Sequence, residues 1–324
     1  MPTNIALKAR LALELPAINN ALFRAVNLLP EPARPVARHI LEAGGKRLRP
    51  MLLVLTARLL GRDDAKIKEL AITLEMLHAA TLLHDDVLDN ALTRRGKPAA
   101  HTLFSVPGVI LAGDALLAGA NALVAEWNDS RLSLCFSQAT SHTAAGEILE
   151  IASQRHVDMT AGEYEEMVRG KTAWLIRAAC QMGALAAGAV AHQVEAAAAY
   201  GENVGMAFQL VDDALDFAPE SVTGKPTGGD VREGKFTPPL RFYRESLNDA
   251  ERLAFDAAFC GGLMTDADVA HISDSIRAAG FDVRVRQQAE AYLDVARQAL
   301  EAFPDRPERE MLCQMADYVR DRNK

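Results

Sequence analysis

Two stretches of this chain repeat one acidic pattern. His84-Asp85-Asp86-Val87-Leu88-Asp89 and Val211-Asp212-Asp213-Ala214-Leu215-Asp216 both read DDxxD, and each closes a long apolar run. Helical periodicity puts residues i and i+4 on one face, so Asp85 points with Asp89 and Asp212 with Asp216. Like charges at that spacing destabilise an isolated helix. Their neighbours are apolar: Leu82, Leu83, Val87 and Leu88 in the first copy, Phe208, Leu210, Val211, Leu215 and Phe217 in the second. Carboxylates at the end of a buried stripe need a compensating charge. A hard divalent cation supplies it, since Mg²⁺ takes oxygen ligands, keeps several waters and bridges carboxylates to phosphates. A solvated acidic face is the plain alternative for one copy. Two copies in matching apolar context weigh against it. They are too widely spaced for a solenoid repeat and read as two walls of one cavity.

Phosphates need cations, and the sequence supplies them beside Gly and Pro. Gly44-Gly45-Lys46-Arg47-Leu48-Arg49-Pro50 sets three basic residues at a predicted helix entrance, where free N–H groups and the dipole favour anions. Arg94-Arg95-Gly96-Lys97 follows the first acidic cluster, and Lys171-Thr172 opens an apolar helical stretch. Gly224-Lys225-Pro226, Gly229-Asp230 and Gly234-Lys235-Phe236-Thr237 lie beyond the second cluster. Arg clamps phosphate by paired hydrogen bonds, and Lys acts as a mobile point charge. Taken singly each would be a solvated surface group; together they read as two diphosphate pockets. There is no GxxxxGK[ST] loop, no GxSxG elbow and no CxxC pair, and His78 and His84 lack the spacing of a zinc-binding helix pair.

The elements that must hold these groups are helices. The 324 residues are 49% hydrophobic but only 6% aromatic, a mixture that favours helix over sheet. Apolar residues recur at helical spacing, as in Leu52, Leu55 and Leu59 and in Ile72, Leu74, Met76 and Leu77. Gly, Pro, Asn and Asp punctuate the chain at 30–35, 44–45, 61–64, 96–98, 107–108, 128–130, 224–229, 261–262 and 304–307. The pattern predicts an all-α protein of roughly ten to fourteen helices, no strand, and one domain over residues 1–324. The formal net charge of −8 argues against nucleic acid as a partner. Four scattered cysteines, 135, 180, 260 and 313, do not form a disulfide framework and point to a reducing, cytoplasmic setting. The N-terminal stretch, interrupted by Lys8, Arg10 and Glu14, lacks the apolar core of a signal peptide. Val106–Ala125 is apolar enough to span a membrane, but Asp114 and Asn121 within it predict a buried core helix and no transmembrane segment.

The ordered set GGKRLRP (44–50), EMLHAATLLHDDVLD (75–89), RRGKP (94–98), AGD (112–114), GEILE (146–150), GKTAWL (170–175), FQLVDDALDF (208–217), GKPTGGD (224–230) and EGKFTPP (233–239) resembles the trans-isoprenyl diphosphate synthases, the polyprenyl synthetase family, over almost the whole chain. The resemblance implies the isoprenoid synthase fold, a helical bundle around a deep central cavity, and a homodimer. It implies three Mg²⁺ ions per site, held by Asp85, Asp86, Asp89, Asp212, Asp213 and Asp216. An allylic diphosphate would meet Arg94, Lys171, Lys225 and Lys235, and isopentenyl diphosphate would sit on Lys46, Arg49, His78 and Arg95. Thr172 and Gln209 would lie beside a developing allylic cation and, with Lys171 and Lys225, carry the catalysis. Cation chemistry of this kind, with the released diphosphate as proton acceptor, needs no side-chain base.

The departures from the family pattern are Pro238, where an apolar residue is usual before Pro239, and Glu150, where many members have Gln. Neither removes a charge the mechanism needs. A growing tail would pass Thr81 and Ala80, about 6 to 8 Å below the metal at ~1.5 Å per residue. Short-chain relatives block that level with Phe or Tyr; here it is open and resembles the octaprenyl-type synthases that make quinone side chains, which implies roughly seven to ten isoprene units and peripheral contact with a membrane for product release. Phe136 and Trp127 are candidates for a floor, against ordinary core packing. The alternatives are a short-chain farnesyl or geranylgeranyl diphosphate synthase, a terpene cyclase or squalene-type synthase (against which GGKRLRP and RRG argue), and a non-catalytic regulatory subunit.

Overall fold

The computed structural model describes residues 2–223 and 226–322, with side chains from residue 13 onward except residue 223. Among the described residues there are seventeen α-helices, three of them no longer than five residues. The all-α expectation holds. Two compact units make up the chain, each drawn from three stretches: Met1–Thr140, Ala178–Ala197 and Ala302–Leu312 in one, Ser141–Arg177, Ala198–Glu301 and Cys313–Lys324 in the other.

The first unit is built around the first aspartate helix, Ala65–Leu88. Asp64 caps it, its carboxylate accepting from the Ile67 N–H at 2.9 Å, a contribution of about 1 kcal/mol. Leu70, Ala71, Leu74, Met76, Leu77, Ala80 and Leu83 are all buried. This helix packs most extensively along Val106–Ala125, and next along Leu48–Leu59. The first contact has a specific requirement. A Cβ on Gly113 would lie 2.3 Å from His84 Nε2, so only glycine there lets His84 reach the Ile110 carbonyl at 3.0 Å.

Two expectations need correction in this unit. Val106–Ala125 is not buried throughout. Val109, Ala112, Leu116, Ala120 and Val124 are covered, whereas Ile110, Leu111, Asp114, Ala118, Asn121 and Ala125 face outward, and only 33% of its most apolar window is buried. The helix is long and apolar enough to cross a membrane by length and composition; its two faces behave differently because one meets the first aspartate helix. The second correction concerns strand. Thr93–Arg94 and Lys97–Pro98 pair as a small antiparallel hairpin. Arg95 (φ 54°) and Gly96 (φ 75°) form its tip, both at the positive φ that two-residue hairpins demand.

The second unit has its own core of Phe217, Val231, Phe236, Leu240, Phe255, Phe259, Val269 and Ile276. Its sharpest local feature is a π-turn at Arg169–Ala173, inserted between the helices Ala161–Val168 and Trp174–Ala186. Such turns concentrate at functional sites. The turn is pressed against the helix Ser130–Ser153. A Cβ on Gly146 would come 2.1 Å from the Lys171 nitrogen, and one on Gly170 would come 2.8 Å from the His142 carbonyl. Reciprocal glycines thus let two backbones approach closely. The consequence is that Lys171 lies within a helical run instead of opening one.

Candidate active site

In the first unit the DDxxD motif ends its helix, with Asp89 as the C-cap residue. Helical spacing splits the motif. Asp89 is exposed and Asp85 half-buried, whereas Asp86 has no exposed surface. Asp86 accepts from Arg94 Nε at 2.7 Å and Nη2 at 2.5 Å, and its second oxygen, Oδ2, has no partner. The structure therefore joins two residues given separate roles by the sequence: Arg94 supports the buried middle carboxylate, and Asp85 and Asp89 form the outward pair.

The segment 44–50 meets the hairpin. Arg95 donates to the Gly44 carbonyl, Lys97 Nζ to Glu42 O at 3.0 Å, and His39 bonds the Pro98 carbonyl at 2.8 Å. Arg47, at φ 48°, is buried and bonded to Glu75 Oε1 at 2.7 Å and Leu41 O at 2.7 Å. It is a structural pin, and Glu75, to which the sequence reading gave no role, is its anchor. Arg49, in the first turn of Leu48–Leu59, is different. Its Nε is buried with no partner. Burial pushes its guanidinium down to about 10; Glu75 opposes that shift and Arg95 adds to it. Burial also holds His78 well below the usual histidine range, with Arg49, Arg95, Arg94 and Arg47 adding repulsion. Arg49, Arg95 and a neutral His78 thus gather positive charge around one unpartnered buried donor, Arg49 Nε. Lys46 is exposed beside Arg47. This arrangement fits a multiply charged anion.

In the second unit the same spacing gives the same split. Asp212 is exposed and Asp216 half-exposed, while Asp213 is buried. Asp213 accepts from the Tyr164 hydroxyl and from Gln209 Nε2 at 2.7 Å. Thr172 in turn donates to Gln209 Oε1 at 2.9 Å. Burial drives Asp213 up to about 7; the bonds from Tyr164 and Gln209 offset only part of this, and Asp212 and Glu150 add to it. Asp216 accepts from the Gly229 and Asp230 N–H groups at 3.1 and 3.0 Å, yet burial still raises it. Asp230 is raised well above the carboxylate range by burial and by Asp216 and Asp213, and its Oδ2 has no partner. Asp212 meets Arg322 at 3.0 Å.

Facing this acidic group are two lysines. Lys171 Nζ lies 2.8 Å from Glu147 and 2.7 Å from Glu150. Lys235 Nζ lies 3.2 Å from Glu150 and 2.7 Å from Glu233. Burial works against both charges, but the carboxylates outweigh it and both lysines stay above their ordinary value. Glu150, whose burial is outweighed by Lys235 and Lys171, is held below its usual range. The sequence reading treated Glu150 as a neutral departure; the structure makes it the brace for both lysines. Tyr164 and Glu147 were missed too, and Asp230 was named only as part of its Gly-rich segment. Tyr164 precedes the π-turn with nothing in its spacing to mark it, whereas Glu147, the residue next to Gly146 and one helical turn before Glu150, could have been paired with Lys171. Lys225 lies outside the described residues.

Of the tail-level residues, Ala80 and Phe136 are buried in the first unit, and Thr81 is half-buried with its hydroxyl on His78 O at 2.9 Å. Trp127 is half-exposed, its ring covered by Arg62 and Lys66 at 4.7 and 4.6 Å, which is packing near the surface.

Comparison with known proteins agrees with this chemistry. Residues 31–275 match the family described as Polyprenyl synthetase. A heptaprenyl diphosphate synthase component 2 from Geobacillus stearothermophilus is 36% identical over 94% of this chain and 95% of its own length. A geranylgeranyl diphosphate synthase from Methanosarcina mazei is 34% identical over 90% of each. The crystal structure of a Caulobacter crescentus polyprenyl synthase complexed with calcium and isoprenyl diphosphate superposes with a TM-score of 0.91 at 35% identity, over 98% of this chain and 97% of that one. By the family match and the identity to these synthases, the chain is a prenyltransferase and belongs to the polyprenyl synthetase family.

Proposed function

We propose that this protein condenses isopentenyl diphosphate with an allylic diphosphate, head to tail and in the trans sense, in repeated cycles that end at a medium or long polyprenyl diphosphate. The observation that carries this reading is the split in both DDxxD motifs: an outward aspartate pair, with a buried middle aspartate held by its own support. Mg²⁺ fits these residues. Asp86 and Asp230 each keep a buried oxygen without a partner, and burial raises Asp213, Asp216 and Asp230, which is the mark of carboxylates short of positive charge. Among the described residues no three acidic, His or Cys groups stand together as a ready cage. Mg²⁺ suits that arrangement, since it keeps several waters and leans on substrate phosphates. Asp85, Asp89, Asp212 and Asp216 would hold it directly, Asp86 and Asp213 from behind, and bound Mg²⁺ would neutralise charge on the leaving diphosphate.

Arg94, Lys171, Lys235 and Lys225 take the allylic diphosphate, and Lys171 and Lys235 arrive pre-oriented by Glu150. As the allylic C1–O bond breaks, the Thr172 and Gln209 oxygens lie beside the carbon that becomes electron-poor. Lys46, Arg49, Arg95 and neutral His78 position isopentenyl diphosphate, whose terminal alkene carbon bonds to that C1. The C2 proton leaves to the departing diphosphate, which restores a neutral, longer allylic chain. Ala80 and Thr81 leave room for that chain and Phe136 limits it. We assign one polyprenyl synthetase domain and a reducing, cytoplasmic setting; among the described residues no disulfide joins the four cysteines.

The outward face of Val106–Ala125 supports a homodimer. Leu111 is 64% exposed, beside Ile110 and small residues Ala118 and Ala125, and patches of this kind mark protein contacts. Leu111→Arg is expected to convert the dimer to monomer in sedimentation velocity; an unchanged dimer contradicts this face. The reaction itself is tested by incubating the protein alone with labelled isopentenyl diphosphate, farnesyl diphosphate and Mg²⁺. A product beyond twenty carbons is expected. A dominant product of twenty carbons or fewer returns the short-chain reading, and no consumption of isopentenyl diphosphate returns the cyclase or silent-subunit readings.

A further inference from the structure

Tyr164 is shared between two environments. Its hydroxyl supports Asp213, while its ring forms part of the floor of a cavity of ≈ 390 Å³ within the second unit. Met206 and Leu210, from the second aspartate helix, and Phe242 complete that floor, and all four residues are buried. Arg241, Gln288 and Ala291 stand at the rim with Glu165 and Tyr292. None of these residues has a part in the proposed reaction except through the Tyr164 hydroxyl.

The lining defines the ligand chemistry. The volume lies within the range of small-molecule pockets, which are mostly apolar with a few placed polar groups. The two aromatic rings of the floor and its adaptable thioether suit a flexible apolar body. The rim carries one cation and one anion, and Arg241 is already engaged with the Met159 carbonyl at 2.6 Å. No surplus positive charge is left for a diphosphate. Gln288, whose exposed amide both donates and accepts, suits a single hydroxyl.

We propose that this cavity is an accessory binding site for a small uncharged molecule with an apolar body and one hydroxyl, the chemistry of a prenyl alcohol, and that its occupancy acts on the second aspartate motif through Tyr164. A molecule packed on the Tyr164 ring shifts its hydroxyl, and Asp213 then keeps only Gln209, which also carries Thr172. Interiors are close-packed, so small displacements are transmitted along such a chain.

The test uses labelled farnesol with the full chain, the reaction site being occupied by Mg²⁺ and a non-reactive farnesyl thiodiphosphate. Wild type is expected to bind one further equivalent in equilibrium dialysis. Ala291→Trp and Gln288→Trp, both rim substitutions at exposed positions, close the mouth of the cavity above its floor, clear of the Tyr164 ring, and should weaken that binding by about tenfold or more, with turnover in the absence of farnesol unchanged. Farnesol should lower wild-type turnover at saturating substrates, and the blocked variants should escape. The binding measurement does not depend on the proposed reaction; the kinetic one does. No further equivalent bound by wild type, undiminished binding in both folded variants, or undiminished inhibition in them overturns the proposal.

Discussion

The two aspartate motifs share a spacing and a burial pattern but not an electrostatic environment. Asp86 is supported by a guanidinium, Arg94. Asp213 is supported by a phenol and an amide, Tyr164 and Gln209. Both supports fix a buried middle carboxylate, yet only the first brings a countercharge. Without one, burial takes Asp213 up to about 7. Identical i, i+4 geometry therefore yields one motif anchored by charge and another whose charge is left for a ligand to complete. The second unit also places its lysines against Glu147, Glu150 and Glu233, which hold both side chains in place.

The largest effect should come from the outward pairs, where the motifs act alike. Asp85→Ala and Asp212→Ala are each expected to lower kcat by about 100-fold or more, on the scale of losing one preorganised transition-state stabiliser, with little change in Tm because neither residue packs. A wild-type rate in either variant contradicts the assignment.

The supports should differ. Arg94→Ala leaves Asp86 buried and uncompensated; allowing for the partial exposure of Arg94, the cost is about 2–3 kcal/mol in urea unfolding. Tyr164→Phe removes one neutral donor and should cost about 1–2 kcal/mol. Equal losses would mean that the two middle carboxylates are supported alike.

pH sharpens the contrast further. An Asp raised from its usual value to about 7 keeps its proton in the folded state over a range where the unfolded chain has lost it. Unfolding then releases protons, so this group's contribution falls as pH rises from about 4 to about 7. Asp216 and Asp230 shift in the same direction. Divalent cation should therefore raise the Tm more at pH 8 than at pH 5, and Asp213→Asn should reduce that difference. A cation effect independent of pH argues against carboxylates short of charge. The smallest effect on rate is expected from Ala80→Tyr in the first unit: a shorter product at similar turnover, read by chromatography of the dephosphorylated chains. An unchanged distribution removes Ala80 from the tail path.

Much of this was legible in the sequence because it depends on period and spacing. The 3.6-residue repeat gave the helices, and i, i+4 gave the outward aspartate pairs. What stayed hidden depends on contacts between residues far apart in the chain. Nothing in the order of residues pairs Arg47 with Glu75, Tyr164 with Asp213, or Glu150 with both Lys171 and Lys235. The hairpin at 93–98 escaped because its strands are only two residues each, too short for an alternation to appear. The π-turn escaped because one extra residue in a helical run leaves its composition unchanged. The exposed face of Val106–Ala125 was misread because hydropathy reports what a helix could bury, not what covers it.

The central claim is that each aspartate motif holds divalent ions that bind a diphosphate. It is tested most directly by counting Mn²⁺ bound per chain, by electron paramagnetic resonance, in the presence of farnesyl thiodiphosphate. Wild type should bind several ions with the analogue and fewer without it, and Asp85→Ala and Asp212→Ala should each lose part of that number. Full Mn²⁺ occupancy in either variant would contradict the account.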